Sequence, residues 1–274
     1  MDKHKLLSNK SRNYVLLVLL SFMLVPFRLF AEHPFEYFLD FCSIGERVPG
    51  TTNHIRARDF ILDNLQGGEL DAFNVGGVHY YNIYKRFPGL QPRIGLATHW
   101  DSDVGCPGAN DGGSGVALLL SLADTLQRDQ PRRAVDLLFF DGEDVEGAEL
   151  IGSRHFAARC VDNYTFIIVL DMVGDRDLRV FQEGNSAKFF PEFVDSIWEI
   201  GSAVAPHVFV SAVKYYIIDD HMSLIKYGVR AIDVIDFDYP YWDTKDDTID
   251  KCSKESLEIM YRFILSLVYQ RSNY

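Results

Sequence analysis

The chain has 274 residues, 47% of them apolar and 14% aromatic, and its 27 basic against 39 acidic side chains give a formal net charge of −12. That is enough apolar material for one large core or two small ones, while so acidic a surface argues against a phosphate backbone, so no nucleic-acid partner is expected. No period of about 20–50 residues repeats, which excludes a solenoid or propeller.

Residues 1–13 carry Lys3, Lys5, Lys10 and Arg12, and residues 14–27 (YVLLVLLSFMLVPF) are almost wholly apolar. A basic leader, a short apolar run and Ala31 before the polar Glu32–His33 read as a signal peptide over 1–31. The run is short for a bilayer span, but Leu29, two places before Ala31, spoils the cleavage pattern and leaves an N-terminal anchor as the alternative. The expected location is periplasmic or secreted, with a membrane reached only through this segment. Residues 32–274 contain no Pro-, Gly- or Ser-rich linker and read as one domain. Cys42, Cys106, Cys160 and Cys252 show no CxxC spacing, so buried thiols or one structural bridge are expected rather than a cysteine zinc site.

Helical spacing runs over Pro34–Ile44, and again over 53–66 after a turn at Val48–Thr52 that caps the second helix. Residues 78–86 (VHYYNIYKR), 93–99 (RIGLATH), 134–140 (AVDLLFF), 165–172 (TFIIVLDM) and 230–235 read as strands. Between and after them, 112–127, 149–158, 190–203 and 253–269 read as helices, the last capped by Ser253. Alternating strands and helices imply a single three-layer α/β domain, with a largely parallel central mixed sheet and helices on both faces. Ligands of such sheets bind beyond the carboxyl ends of the strands.

Polar residues collect at those ends. His99 closes one apolar strand with Asp101 two places on, a spacing at which a carboxylate can orient a metal-bound imidazole. Asp111 sits in a glycine-rich turn, Gly108–Gly115, where it could cap the following helix or ligate a metal. Glu143 and Asp144 follow the strand AVDLLFF as adjacent acids, which repel unless a cation or proton lies between them. Asp171 ends TFIIVLD. The stretches Ile218–His221 and Tyr239–Thr244 add further oxygen and nitrogen donors. A divalent cation needs three or more such groups together.

THWDS (98–102), GANDGGSGV (108–116), FFDGED (139–144), LIGSRHF (150–156), LDMVG (170–174), DDH (219–221) and YWDTKDDT (241–248) together resemble the M28 zinc peptidase family. Within it the pattern is most similar to the glutaminyl-peptide cyclotransferases, over roughly Pro34 to Val268. The resemblance implies a zinc aminopeptidase-like fold acting on peptide or protein N-termini. In the cyclotransferase branch one zinc is held by the equivalents of Asp111, Asp144 and Asp243, while Glu143, Asp171 and Asp219 handle protons. Trp242 and His221 would contact the substrate. In the aminopeptidase branch two zinc ions are used, with His99, Asp111 and Asp171 matching one site, Asp111 and Asp144 part of the other, and Glu143 the general base. Asp219 before Asp220–His221, and Trp242 before the final ligand position, favour cyclotransferase over aminopeptidase.

Asp243 stands where the family has histidine. Three carboxylates make a hard, highly charged site that is less selective for zinc than one containing imidazole, so a catalytically impaired homologue is a third reading.

Overall fold

The computed structural model describes residues 33–145, 150–160 and 164–269; the signal or anchor segment over 1–31 lies outside them. Its sheet has six strands in the order β1 (Glu69–Val75), β2 (Val78–Phe87), β4 (Arg133–Phe140), β3 (Leu90–His99), β5 (Tyr164–Asp171), β8 (Ala231–Ile235). The β1–β2 and β2–β4 pairs are antiparallel, and β4, β3, β5 and β8 run parallel. A separate parallel pair joins β6 (Val180–Gln182) to β7 (Phe209–Val213). The helices are α1 (His33–Cys42), α2 (Thr52–Asn64), α3 (Gly113–Arg128), α4 (Ile151–Ala157), α5 (Gly184–Phe189), α6 (Pro191–Val204), α7 (Asp220–Lys226) and α8 (Lys254–Tyr269). This is the mixed, helix-flanked α/β sheet expected from the sequence.

The period-two geometry of a strand divides the apolar runs between two faces. Leu96, Leu137, Phe139, Phe166, Ile168 and Leu170 enter the larger core with α3, Trp198 of α6 and Phe263 of α8. Their neighbours Ala97, Leu138, Phe140, Ile167 and Val169 enter a smaller core with Phe156 and Ala157 of α4 and Leu224 of α7. Both faces are covered, so these strands read as unbroken apolar runs rather than alternating ones. Helix α3 is buried almost all round: Leu118, Leu119, Leu120 and Leu122 are fully covered. Each stabilises the fold by roughly 1.5–3 kcal/mol through burial, and truncating any one to alanine would cost about 2–5 kcal/mol.

Elements missing from the sequence reading are short or exposed. Strand β1 lies at the sheet edge with most of its residues exposed, so it carries no alternation to detect. Strand β6 and helices α5 and α7 are three to seven residues long. Asp220 and His221, expected on a loop, instead open α7, with Asp219 as its N-cap. Cys42, Cys106 and Cys252 are buried free thiols. Among the described residues no helix is long and apolar enough to cross a membrane.

Candidate active site

The carboxyl ends of β3, β4, β5 and β8 lie side by side, with His99 in register with Phe140 and Asp171 with Ile235. Beyond them opens a cavity of about 470 Å³. Among the described residues its lining includes Asp103, Asp111, Glu143, Asp144, Asp171, Asp219 and Asp243, together with apolar side chains such as Ile217, Phe237 and Trp242, and no lysine or arginine. The sequence-predicted residues Asp111, Glu143, Asp144, Asp171, Asp219, Trp242 and Asp243 all reach it. Ligand atoms of Asp111, Asp144 and Asp243 converge within 4.8 Å, as do those of His99, Asp111 and Asp171. His99 lies beneath the cavity, its Nε2 3.0 Å from Asp111 Oδ1 and 3.2 Å from Asp171 Oδ1.

Asp111 does not cap α3. The cap is Gly112, at φ +69, where a Cβ would come within 2.9 Å of His99 Cε1. Only glycine lets the loop pass so close to the imidazole, and the Asp111 carboxylate is left free for other work. Asp247 fixes this loop by accepting the Asn110 and Asp111 N–H groups at 2.9 and 3.1 Å and the Tyr239 hydroxyl at 2.6 Å. The fully buried Arg47 guanidinium fixes it from the other side, donating to the carbonyls of Trp100, Pro107, Gly108 and Asp111. Asn110 reaches onward: it donates to Met172 O and accepts from Gly174 N, while Ser114 accepts from Val173 N. These bonds brace the turn after Asp171, where Met172 adopts φ +48. Met172 and Asp243 (φ +54) are two of three non-glycine residues with positive φ among those described, and both line the cavity. Such backbone strain persists only where its surroundings hold it.

Asp101 has a different place from the one expected. Its nearest approach to His99 Nδ1 is 3.7 Å, too long for a hydrogen bond. It accepts the backbone N–H groups of Glu143 at 3.2 Å and Asp144 at 3.0 Å, so it shapes the acidic turn instead of orienting the imidazole. Asp141, at the root of that turn, lies 2.9 Å from His54 Nε2, and His54 stacks on Trp100 at 4.6 Å.

The electrostatics follow from crowding. Burial, then the Asp144 carboxylate, holds Glu143 well above the ordinary glutamate range. Burial and Asp111 raise Asp144 in the same way and push Asp171 up to about 7. Asp243 rises to about 6 through burial and then the charges of Asp111 and Asp103. Burial alone would lower His99, yet the carboxylates of Asp144, Asp101, Asp111 and Asp171 carry it well above its usual value. The site therefore calls for positive charge. Asp144 Oδ2 is buried without a hydrogen-bond partner, and three carboxylates aimed at one point form a hard oxygen donor set that fits a divalent cation.

His221, expected at the substrate, does not line the cavity. It is fully buried behind it, with Nε2 3.2 Å from Glu183 Oε2 and Nδ1 3.7 Å from Asp233 Oδ2. Helix α7 turns it inward, so its surroundings are protein rather than ligand. Asp101, Asp247, Asn110 and Arg47 had no assigned part in the site beyond the pairing of Asp101 with His99. Three of them lie within the quoted motifs, whereas Arg47 carries no sequence signal.

An open mixed sheet whose parallel strand ends gather seven carboxylates around one cavity defines a zinc-exopeptidase type of α/β protein. The chain belongs to peptidase family M28, whose profile matches residues 82–268. It is similar to the glutaminyl-peptide cyclotransferase of Drosophila melanogaster, at 26% identity over 79% of this chain and 75% of that protein. The crystal structure of Bacteroides thetaiotaomicron glutaminyl cyclase bound to N-acetylhistamine superposes with a TM-score of 0.81 at 26% identity, covering 88% of this chain and 98% of that one. A Zn-dependent exopeptidase from Parabacteroides distasonis gives the same TM-score, identity and coverage.

Proposed function

We propose that this chain is a glutaminyl-peptide cyclotransferase, converting an N-terminal glutamine of a peptide or protein to pyroglutamate with release of ammonia. The observation that carries the reading is the convergence of Asp111, Asp144 and Asp243 beside Glu143 and Trp242 in one cavity, in a fold shared with glutaminyl cyclases. Zinc, held by those three carboxylates, would supply Lewis acidity toward the side-chain amide carbonyl. Glu143 takes a proton from the attacking α-amine and returns it to the departing amide nitrogen. A carboxyl raised by burial is suited to both transfers. The new bond joins the α-nitrogen to the side-chain carbonyl carbon, and the bond broken is from that carbon to the amide nitrogen. Asp171 and Asp219, which also line the cavity, orient the amine and amide and share their protons. Trp242, stacked on Phe237 at 5.3 Å, supplies a flat wall for the glutamine side chain and helps to exclude water.

One observation favours a second reading, hydrolysis of the first peptide bond by an M28 aminopeptidase. His99, Asp111 and Asp171 converge as closely as the other set, which would give places for two ions. Incubating the protein with a Gln-initiated and a Leu-initiated peptide, with products read by mass, separates the two. Cyclisation shows as loss of ammonia from the first peptide with no release of leucine from the second, one zinc per chain, and turnover abolished by Glu143→Gln. Leucine release with two zinc ions per chain would replace this reading by the peptidase, and no turnover of either peptide would leave the impaired homologue. The basic-then-apolar leader over 1–31 supports export, periplasmic or secreted, with 32–274 as the catalytic domain.

A further inference from the structure

The two edges of the sheet are finished differently. At one edge β8 is buried along its whole length, and its Asp233 N–H donates to Ser186 Oγ of α5 at 3.0 Å. At the other edge β1, with the sequence ELDAFNV, is largely exposed. Among the described residues no strand pairs with its outer side. Edge strands are ordinarily blunted by lysine, proline or a bulge. Strand β1 contains neither residue, and its register against β2 is unbroken from Glu69 to Val75.

The turn after β1 fixes which groups it presents. Gly76 and Gly77 join it to β2 at φ +62 and +93. Two positive values define the tight hairpin turn that closes on a hydrogen-bonded pair, here Val75 with Val78. Hydrogen-bonded and non-bonded pairs alternate along an antiparallel ladder. Glu69, Asp71 and Phe73 therefore bond to β2, while Leu70, Ala72 and Asn74 turn their N–H and C=O groups outward. The far side of the ladder agrees. Tyr81, opposite Ala72, donates its N–H away from β1 to Asp141 Oδ2 at 2.6 Å, and its carbonyl accepts from Trp100 Nε1 at 3.1 Å.

This edge is complementary to itself. When two copies pair antiparallel about Ala72, Ala72 falls opposite Ala72 and Leu70 opposite Asn74, so each outward N–H meets an outward C=O. Glu69 then falls opposite Val75, and Asp71 opposite Phe73, so no carboxylate faces another. Asp71 is also engaged within its own chain, by the Tyr84 hydroxyl at 3.1 Å and His155 Nε2 at 3.3 Å. A slip that centred the pairing on Leu70 would set Glu69 against Asp71, and like charges directly opposite are destabilising. Leu70 and Val75, 44% and 46% exposed, gain cover in the favoured register.

We infer that β1 is a self-association edge: two copies of this chain pair along it about a two-fold axis at Ala72, joining their six-stranded sheets into one. The contact uses up the free edge of both copies, so assembly closes at two. One strand pair is a small interface, so the dimer is weak and forms by mass action as concentration rises. Pairing at β1 needs nothing of the catalytic cavity and stands whether or not the chain cyclises glutamine.

Sedimentation velocity of the purified chain, over a concentration range of about a hundred-fold, tests this. The mean mass should climb from one chain toward two and no further. Ala72→Pro removes both N–H donors of the central pair and costs β1 no bond to β2. Proline is tolerated where an edge N–H faces solvent, so the thermal midpoint should hold while association weakens by about ten-fold or more. Ala72→Cys should cross-link two chains under mild oxidation, since opposed hydrogen-bonded residues have Cα atoms about 5.5 Å apart, within disulfide reach. Leu70→Cys should not, because Leu70 faces Asn74 in this register. A mass of one chain throughout, growth beyond two, a dimer that Ala72→Pro leaves intact, or cross-linking by Leu70→Cys as readily as by Ala72→Cys would each overturn the inference.

Discussion

Replacing Asp101 by asparagine tests how the acidic turn is built. Asp101 is fully buried, and its two carboxylate oxygens each accept one N–H, from Glu143 at 3.2 Å and Asp144 at 3.0 Å. Burial would raise its pKa, but the neighbouring His99 imidazole and its charge, together with the Glu143 N–H, hold it below the ordinary aspartate value. Asparagine keeps one acceptor and sets an NH2 against the other N–H. One charge-assisted hydrogen bond is lost and a buried donor is orphaned, at about 1.5–3 kcal/mol. Relief of charge crowding near Asp144 offsets part of this, leaving about 2 kcal/mol. For a domain of this size the midpoint of thermal unfolding should fall by about 4–8 °C. The turn that sets Glu143 should shift, and a displacement on the order of 1 Å costs catalysis about a hundred-fold. A depressed carboxylate contributes stability that is fully present above its unfolded pKa and is lost as pH falls through the folded value. The deficit of Asp101→Asn should therefore be full at pH 7 and shrink below about pH 4. Thermal scans from pH 3 to 8 and kcat/KM with a Gln-peptide measure both effects. If Asp101→Asn unfolds at the wild-type temperature and turns over at the wild-type rate, Asp101 does not shape the turn.

Asp243→His should bind zinc about ten-fold more tightly, with greater selectivity over magnesium, because imidazole replaces a third hard anion. Histidine also tolerates the positive φ at this position. Titration of both proteins checks this, and equal affinity and turnover would refute it. In chelator-treated protein, Asp171 and Asp243, raised to about 7 and about 6, contribute stability present at low pH and lost as pH climbs through those values. The unfolding temperature should thus fall from pH 5 to 8 without metal and recover with zinc, and a rise across that window without metal would contradict the assignment. Arg47→Lys leaves several carbonyls of the Asp111 loop without a donor and should cost about 3 kcal/mol, read as a shift in the denaturant midpoint at unchanged slope.

The parallel strands and the acids at their ends were legible because both are consequences of covering a sheet on two faces. Apolar runs such as TFIIVLD must be buried, and a carboxylate closing one must emerge at an end. Convergence of Asp111 with Asp144 and Asp243 was legible only through resemblance, since no local pattern tells how far apart two strand-end loops lie. The placing of His221 is not legible because a helix of seven residues leaves too little periodicity, and the turn of α7 decides whether its ring faces cavity or core. Asp101 was assigned to the nearest imidazole in sequence, whereas its bonds run to a neighbouring strand's turn. Long-range hydrogen bonding to main-chain groups has no signature in residue order, and Arg47 is the extreme case.

The two clamps on the Asp111 loop come from opposite ends of the fold. Arg47 precedes the first strand, and Asp247 follows the last. During vectorial synthesis the sheet can assemble as its strands emerge, but the loop stays half-secured until residues beyond β8 are released. A fragment stopping at Ile235 would keep all six strands of the sheet and lack the carboxylate that seats Asn110 and Asp111. Competence for chemistry should thus be a late property of this chain, arriving after the fold is recognisable, so that a partly made molecule has the scaffold before it has the site.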